Sequence, residues 1–335
     1  MLSKIKFVLV HILGARIRAL LKSRELRCVK DNTHQIKNDD IILLAVLRNE
    51  AIRIPYFLDY YRKQGVNHFL FVDNGSTDGF QEMVASELDI SIWYTAGSYR
   101  KSKFGIDWTN YLLSKYGCNQ WCLTVDPDEF LVYPHSETRD LKSLTEYLAY
   151  VGQNSLFCLL LDMYSDKKIA ETDYHVGEDP LQTCPYFDTS GYVVKKKNQL
   201  FQNLWIQGGP RMRLFFRDKP EHAPALNKTP LVLWRWYYAY HSSTHALTPR
   251  QLNKVHEARI DLTGCLLHFK LINLLKDKAE EEIHRKQHFA ASREYTKYLQ
   301  EFEGNGLRLL NSMSAKFSQP EDLVQHGLMT TGGWF

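Results

Sequence analysis

The order of apolar runs between residues 41 and 133 constrains the fold more than any other feature of this chain. "IILLAVL" (Ile41–Leu47) is uninterrupted, as a strand covered on both faces requires. Residues 51–64 read as a helix, with Pro55 tolerated in its first turn and Gly65 as its stop. "VNHFLFV" (66–72) is a second strand, and "DNGSTDG" after it is a turn. A helix to about residue 88, a strand at Ile90–Tyr94, a helix over 104–116 and a strand over 121–125 complete the series. Strand and helix in strict alternation give βαβ units, hence an α/β fold with a mostly parallel sheet flanked by helices. Beyond residue 150 the rhythm is less regular. Residues 155–161, 212–216 and 266–269 read as strands between stretches rich in Pro, Gly and Tyr, and 271–302 as a charged helix. The chain thus divides into 1–39, 40–150, 151–270 and 271–335.

Open α/β sheets bind ligands at the carboxyl ends of their strands. Three polar clusters fall there: Arg48-Asn49-Glu50, Asp73-Asn74 and Asp126-Pro127-Asp128. The last belongs to "WCLTVDPDEFLVY", which gathers three carboxylates between two apolar runs. Two carboxylates at a strand's end can hold Mg²⁺ or Mn²⁺, and the metal offsets the repulsion between them. A surface turn or a helix cap would use the same residue types. Asp73 can accept from a pyrimidine N3–H or from ribose hydroxyls, or it can simply shape its turn. Asn49 and Glu50 can cap a helix or face a nucleotide.

As a set, "LRNEAIRIPYFLDYYRKQGVNHFLFVDNGSTDG" and "WCLTVDPDEFLVY" resemble the nucleotide-sugar-binding half of family 2 glycosyltransferases, in a bacterial subgroup with a DxDEF motif. The resemblance implies a GT-A fold, with 40–150 as the nucleotide-sugar half and 151–270 as the acceptor side. It implies a nucleoside-diphosphate sugar as donor, a UDP-sugar favoured. Asp73 and its neighbour would lie at the base and ribose, and Asp126 and Asp128 at the diphosphate and metal. Asn74 departs from the family's usual second Asp. Its amide accepts but also donates, which alters base preference.

The second half resembles the subgroup more loosely, in "GGPRMRLF", "SSTHAL" and "LLHFK". Arg211 and Arg213 alternate on the expected strand, so both face one side, and guanidinium forks suit phosphate. In several GT-A enzymes a late His completes the metal shell, which nominates His268 and, less directly, His245. Either is otherwise a core histidine. The resemblance implies inversion, which needs a general base for the acceptor hydroxyl. Asp166, Asp173, Glu178, Asp179 and Asp188 all qualify, and the sequence does not choose among them. The expected function is metal-dependent sugar transfer to a glycan or lipid-linked acceptor in bacterial surface or secreted glycan synthesis. A nucleotidyltransferase is the alternative, although "AVLRNEA" lacks the Gly-rich triphosphate loop. A non-catalytic module on the same fold is another.

Charge distribution bears on partners. Residues 1–30 hold eight Lys/Arg and one Glu, while the other 305 hold 34 basic and 37 acidic groups. The body is therefore no nucleic-acid binder. At helical spacing Leu2, Ile5, Leu9, Ile12, Leu13 and Leu20 share a face opposite Lys4, Arg18 and Lys22. Such a helix suits an anionic membrane surface, with contact through residues 1–27, or else docks on the body with a basic outer side. Six cysteines without a CxxC read as reduced thiols, so the expected location is the cytoplasm, at the inner face of the membrane.

Overall fold

In a computed structural model the protein is described over residues 2–195, 201–241, 243–253, 255, 261–285, 287, 296, 298–299 and 308–335, with side chains from residue 10 onward except 276, 277 and 284. It is an α/β protein. A nine-stranded mixed sheet is built from β1 (Arg27–Lys30), β2 (Ile41–Leu47), β3 (His68–Asp73), β4 (Ile90–Tyr94), β5 (Trp121–Thr124), β6 (Glu129–Val132), β7 (Ser155–Asp162), β8 (Asn227–Leu233) and β9 (Thr263–His268). Their order is β1-β4-β3-β2-β5-β8-β7-β9-β6. Strands β4, β3, β2 and β5 form one parallel block, and β9 runs parallel to β7. β8 is antiparallel to both its neighbours, and β6 is antiparallel to β9.

The apolar run of β2 is continuous because both faces are covered. Ile41, Leu43, Ala45 and Leu47 join the core with Phe69 and Phe71 of β3 on one face. Ile42 and Leu44 join Leu70 and Val72 on the other. The first face carries α2 (Ile54–Lys63), the second α3 (Ile106–Tyr116). Pro55 lies in the first turn of α2 and Gly65, at φ 93°, follows its end, as the sequence predicts. α4 (Leu141–Tyr150) starts at Asp140, whose carboxylate accepts from the Ser143 amide at 2.9 Å.

Three expectations are corrected. Residues 80–88 give only one turn, Phe80–Met83. Residues 212–216, read as a strand, are the last turn of α5 (Gly209–Phe215) and the residue that caps it. Pro210 in its first turn, after two glycines in non-standard conformations, starts a helix there. Finally, the charged helix α6 spans Leu275–Arg285; the rest of the expected 271–302 helix falls largely outside the described residues. At the other terminus, α1 (Leu2–Lys22) is helical as expected, and it packs along α3.

Candidate functional site

The site follows from strand direction. β4, β3, β2, β5, β7 and β9 all end at the same edge of the sheet, and the antiparallel β8 and β6 begin there. Across that edge lie Tyr94, Asp73-Asn74, Arg48, Asp126, Lys228, Asp162, His268 and Glu129. The acidic turn after β5 carries the chain from mid-sheet to the edge strand β6. That crossing draws Asp126–Glu129 over the tips of β8, β7 and β9.

Two zones result. The first is a cleft of about 330 Å³ at the tips of β2–β4, lined by Arg48, Asn74, Gly75, Tyr94, Gly97 and Arg285 among others. Arg48 donates to the Asn74 carbonyl at 2.9 Å and to the Glu281 carboxylate at 2.8 Å. Asn74 donates its amide to the Gly97 carbonyl at 2.9 Å, and its amide oxygen accepts from Arg285 at 3.3 Å. Asp73 is fully buried and shapes the turn: it accepts from the Ser76 amide at 2.7 Å and from Gln81. Asn49, at φ 53°, accepts from the Thr77 amide at 2.9 Å. Glu50 is buried between Arg53, at 2.9 Å, and Lys278. Hence α6 lies across these tips, its Lys278, Glu281 and Arg285 meeting Glu50, Arg48 and Asn74.

The second zone is a buried charge network. Lys228 Nζ stands 2.8 Å from Glu129 and 3.9 Å from Asp126. His268 Nδ1 stands 2.6 Å from Asp162 and its Nε2 3.4 Å from Asp128. Arg211 Nε donates to the other oxygen of Asp162 at 2.7 Å. Burial disfavours every charge here, yet the charges sustain one another. Burial would raise Asp128 and Asp162, but His268 holds Asp128, and Arg211 with His268 holds Asp162, below the ordinary carboxylate range. Burial would lower His268, and its two carboxylate partners raise it instead. Asp126 is the exception. Its side chain is half exposed, yet the low-dielectric surroundings and then the neighbouring Glu129 charge raise its carboxyl above the ordinary range.

Arg211 and Arg213 do not share a face. On a helix, residues two apart point away from each other. Arg211 turns to Asp162, and Arg213 holds Asp188 with both Nε, at 2.8 Å, and Nη2, at 3.2 Å. Asp188 is buried and also accepts from Tyr164 at 2.5 Å. Of the other carboxylates considered for the base, Asp166 and Asp173 are exposed, Asp173 lying 3.2 Å from His175. Glu178 accepts from the His175 amide at 3.0 Å and Asp179 from the Leu181 amide at 2.9 Å. His245 turns its Nδ1 to the Asn227 carbonyl.

Among the described residues no three His, Cys, Asp or Glu side chains converge to hold a metal ion. Asp128 Oδ2 and His268 Nε2 do lie 3.4 Å apart, close to the roughly 3 Å edge between adjacent donors around a small divalent ion with ~2.1 Å bonds. This pair fits such a cation, whose remaining positions water and phosphate oxygens ordinarily fill. Asp126, turned toward Lys228, stands beside the pair.

Sequence reasoning missed Asp162 and Lys228, and it did not place the charged helix α6 at the site. Asp162 had a signal, since it ends "SLFCLLLD" as Asp73 ends "HFLFVD". Lys228 in "NKTPLVL" had none. No protein-family model matches the chain, and no curated protein matches it significantly.

Proposed function

We propose that the protein is a glycosyltransferase of GT-A type, moving a sugar from a nucleoside diphosphate to an acceptor hydroxyl with the help of Mn²⁺ or Mg²⁺. One observation carries this reading. A cleft with Arg48 and Asn74, and a carboxylate–histidine pair at Asp128 and His268, occupy one edge of one sheet at the tips of its strands. The Asn74 N–H donors are held by the Thr95 and Gly97 carbonyls, which leaves the remaining lone pairs of the Asn74 amide oxygen and the Gly97 carbonyl to accept from a base. Asp128 and His268 would hold the metal, and Asp126 its bound water or the diphosphate. When bound, the metal would neutralise charge on the departing diphosphate. Asp162 fixes the imidazole by its bond to Nδ1, which leaves Nε2 to the ligand side. Arg211 in turn fixes Asp162.

The test is calorimetric titration with UDP, GDP and CDP, with and without Mn²⁺. One nucleotide should bind, and only with metal. Asp128→Ala should remove that binding while circular dichroism shows an intact fold. If no nucleotide binds to the folded protein in the presence of metal, the reading fails. If binding survives unchanged in Asp128→Ala, that residue is not in the site.

A further inference from the structure

The surface of α1 inverts the usual amphipathic pattern. Its small residues face inward: Ala15 and Ala19 are buried. Its large apolar residues face outward: Val10 is 59% exposed, Leu13 57%, Ile17 50%, Leu20 66% and Leu21 54%. Spacings of three and four place these five on one side of the helix. Only Leu13 and Leu20 of this ridge belong to the face predicted from sequence. Ile12 lies at the flank.

The helix is firmly seated. Arg18 pairs with the buried Asp107 of α3 at 3.3 Å. Arg16 donates to the Trp236 carbonyl at 2.8 Å and lies over the Trp236 ring, 4.8 Å from its centre. Polar and small side chains thus do the docking, and the apolar ridge is left to water.

We propose that α1 docks the protein on an anionic lipid bilayer, with the Val10–Leu21 ridge entering the interface. Charge selects this occupant. The first thirty residues are net positive by seven, whereas the rest of the chain is net negative by three. Arg24 and Arg27 are exposed immediately beyond the ridge. Acidic headgroups attract such a basic segment while the acyl boundary takes the apolar side chains. Trp236, 63% exposed, and Tyr237 extend the same surface with aromatic rings suited to the headgroup level. Among the described residues no helix is long and apolar enough to cross a membrane, and an apolar ridge along one side of α1 suits a helix in the interface plane. A twofold pairing of two copies through this face would instead set two strongly basic segments against each other. The opposite side of α1 rests on α3, whose Ile106 and Thr109 line the crevice that also holds Asp126. The bilayer would therefore sit one helix away from the carboxylates, within reach of a lipid-borne ligand.

The test uses the full chain in co-sedimentation with vesicles of phosphatidylcholine alone and of a phosphatidylcholine–phosphatidylglycerol mixture. The protein should sediment with the mixture and not with phosphatidylcholine alone. Leu13→Gln/Leu20→Gln removes two exposed leucines without touching the core and should weaken partitioning about a hundredfold. Arg24→Gln should weaken it too, and added salt should weaken the parent more than the arginine variant. The proposal falls if the parent stays in the supernatant with the mixture. It also falls if ultracentrifugation shows a dimer that Leu13→Gln/Leu20→Gln disperses while no vesicle binding occurs. Nucleotide binding, measured separately, should be the same in these variants, so failure here is distinct from failure of the transferase reading.

Discussion

Replacing Lys228 by Met tests the idea that the charge network holds this edge of the sheet together. The change keeps most of the side chain's length and apolar stem and removes only the ammonium. Lys228 and Glu129 side chains are 6% and 2% exposed, and they stand 2.8 Å apart. Attraction at that distance is about 6 kcal/mol if the local dielectric constant is about 20, set against the desolvation of both ions. Removing one partner strands the other. Glu129 would keep only one weak bond, to the Asp126 amide at 3.3 Å. Breaking a buried pair this way costs about 3–5 kcal/mol, a large part of a stability of about 5–15 kcal/mol. Urea unfolding of Lys228→Met should show that loss. Glu129→Gln/Lys228→Met should recover a substantial part of it, because neither charge is then buried alone. If Lys228→Met stays within about 1 kcal/mol of the parent, the pair is not the constraint argued here. A double variant no better than the single would mean that packing, not charge, sets the cost.

Two further outcomes follow from particular residues. His245 is driven down to about 3, by burial first and then by the Lys228 charge. An unfolded histidine takes up its proton near pH 6.5 while the native one does not, so its contribution is present above that pH and lost below it. Between pH 6.5 and 5 the parent should lose about 2 kcal/mol more than His245→Asn; parallel stability curves for the two would exclude a neutral buried imidazole. Gly332 has φ +60°, and a Cβ there would lie 2.4 Å from the Leu262 backbone nitrogen. Gly332→Ala should cost at least about 2 kcal/mol, whereas Gly79→Ala, at φ +81° with open space around it, should cost only about 1 kcal/mol. Equal costs in chemical denaturation would show that backbone conformation alone, not the approach to Leu262, decides.

The legible part of the fold was the part written in local pattern. Ile41–Leu47, Ile90–Tyr94 and the strand–helix alternation around them state their own periodicity, and the parallel block forms where they predict it. The second half was less legible because its pairings are long-range. Nothing near Asn227–Leu233 says that it will insert antiparallel between β5 and β7, residues apart by a hundred and by seventy in sequence. The same limit applied to the site. Asp126 and Asp128 were visible as a crowded local motif. Their partners, Lys228, His268 and, through His268, Asp162, come from three other strands whose order only the folded sheet reveals. Arg211 and Arg213 were misplaced because "RMR" alternates like a strand, and the helix signal lay in Gly209-Pro210 before it.

The structure also answers how one chain holds so many carboxylates in its core. Asp126, Asp128, Glu129 and Asp162 meet Lys228, His268 and Arg211 at one edge. Glu129 takes Lys228 at 2.8 Å, and Asp162 takes Arg211 at 2.7 Å and His268 at 2.6 Å. Asp128 shares His268 from 3.4 Å, and Asp126 is left with Lys228 at 3.9 Å, half open to solvent. Four anions therefore face three cations, and the closest contacts go to the two most deeply buried anions. The least compensated carboxyls are Asp126 and Asp128, the two that lie toward the outside, and Asp126 responds by holding its proton to higher pH. Burial penalises an uncompensated charge, so stability alone would also leave the surplus outside; what is particular here is that both under-compensated carboxyls lie in one turn beside the His268 Nε2. That turn lies where a soluble cation can reach it, so the proposed ligand falls at Asp128 and His268 with Asp126 beside them, and Glu129, Asp162, Lys228 and Arg211 hold those three in place.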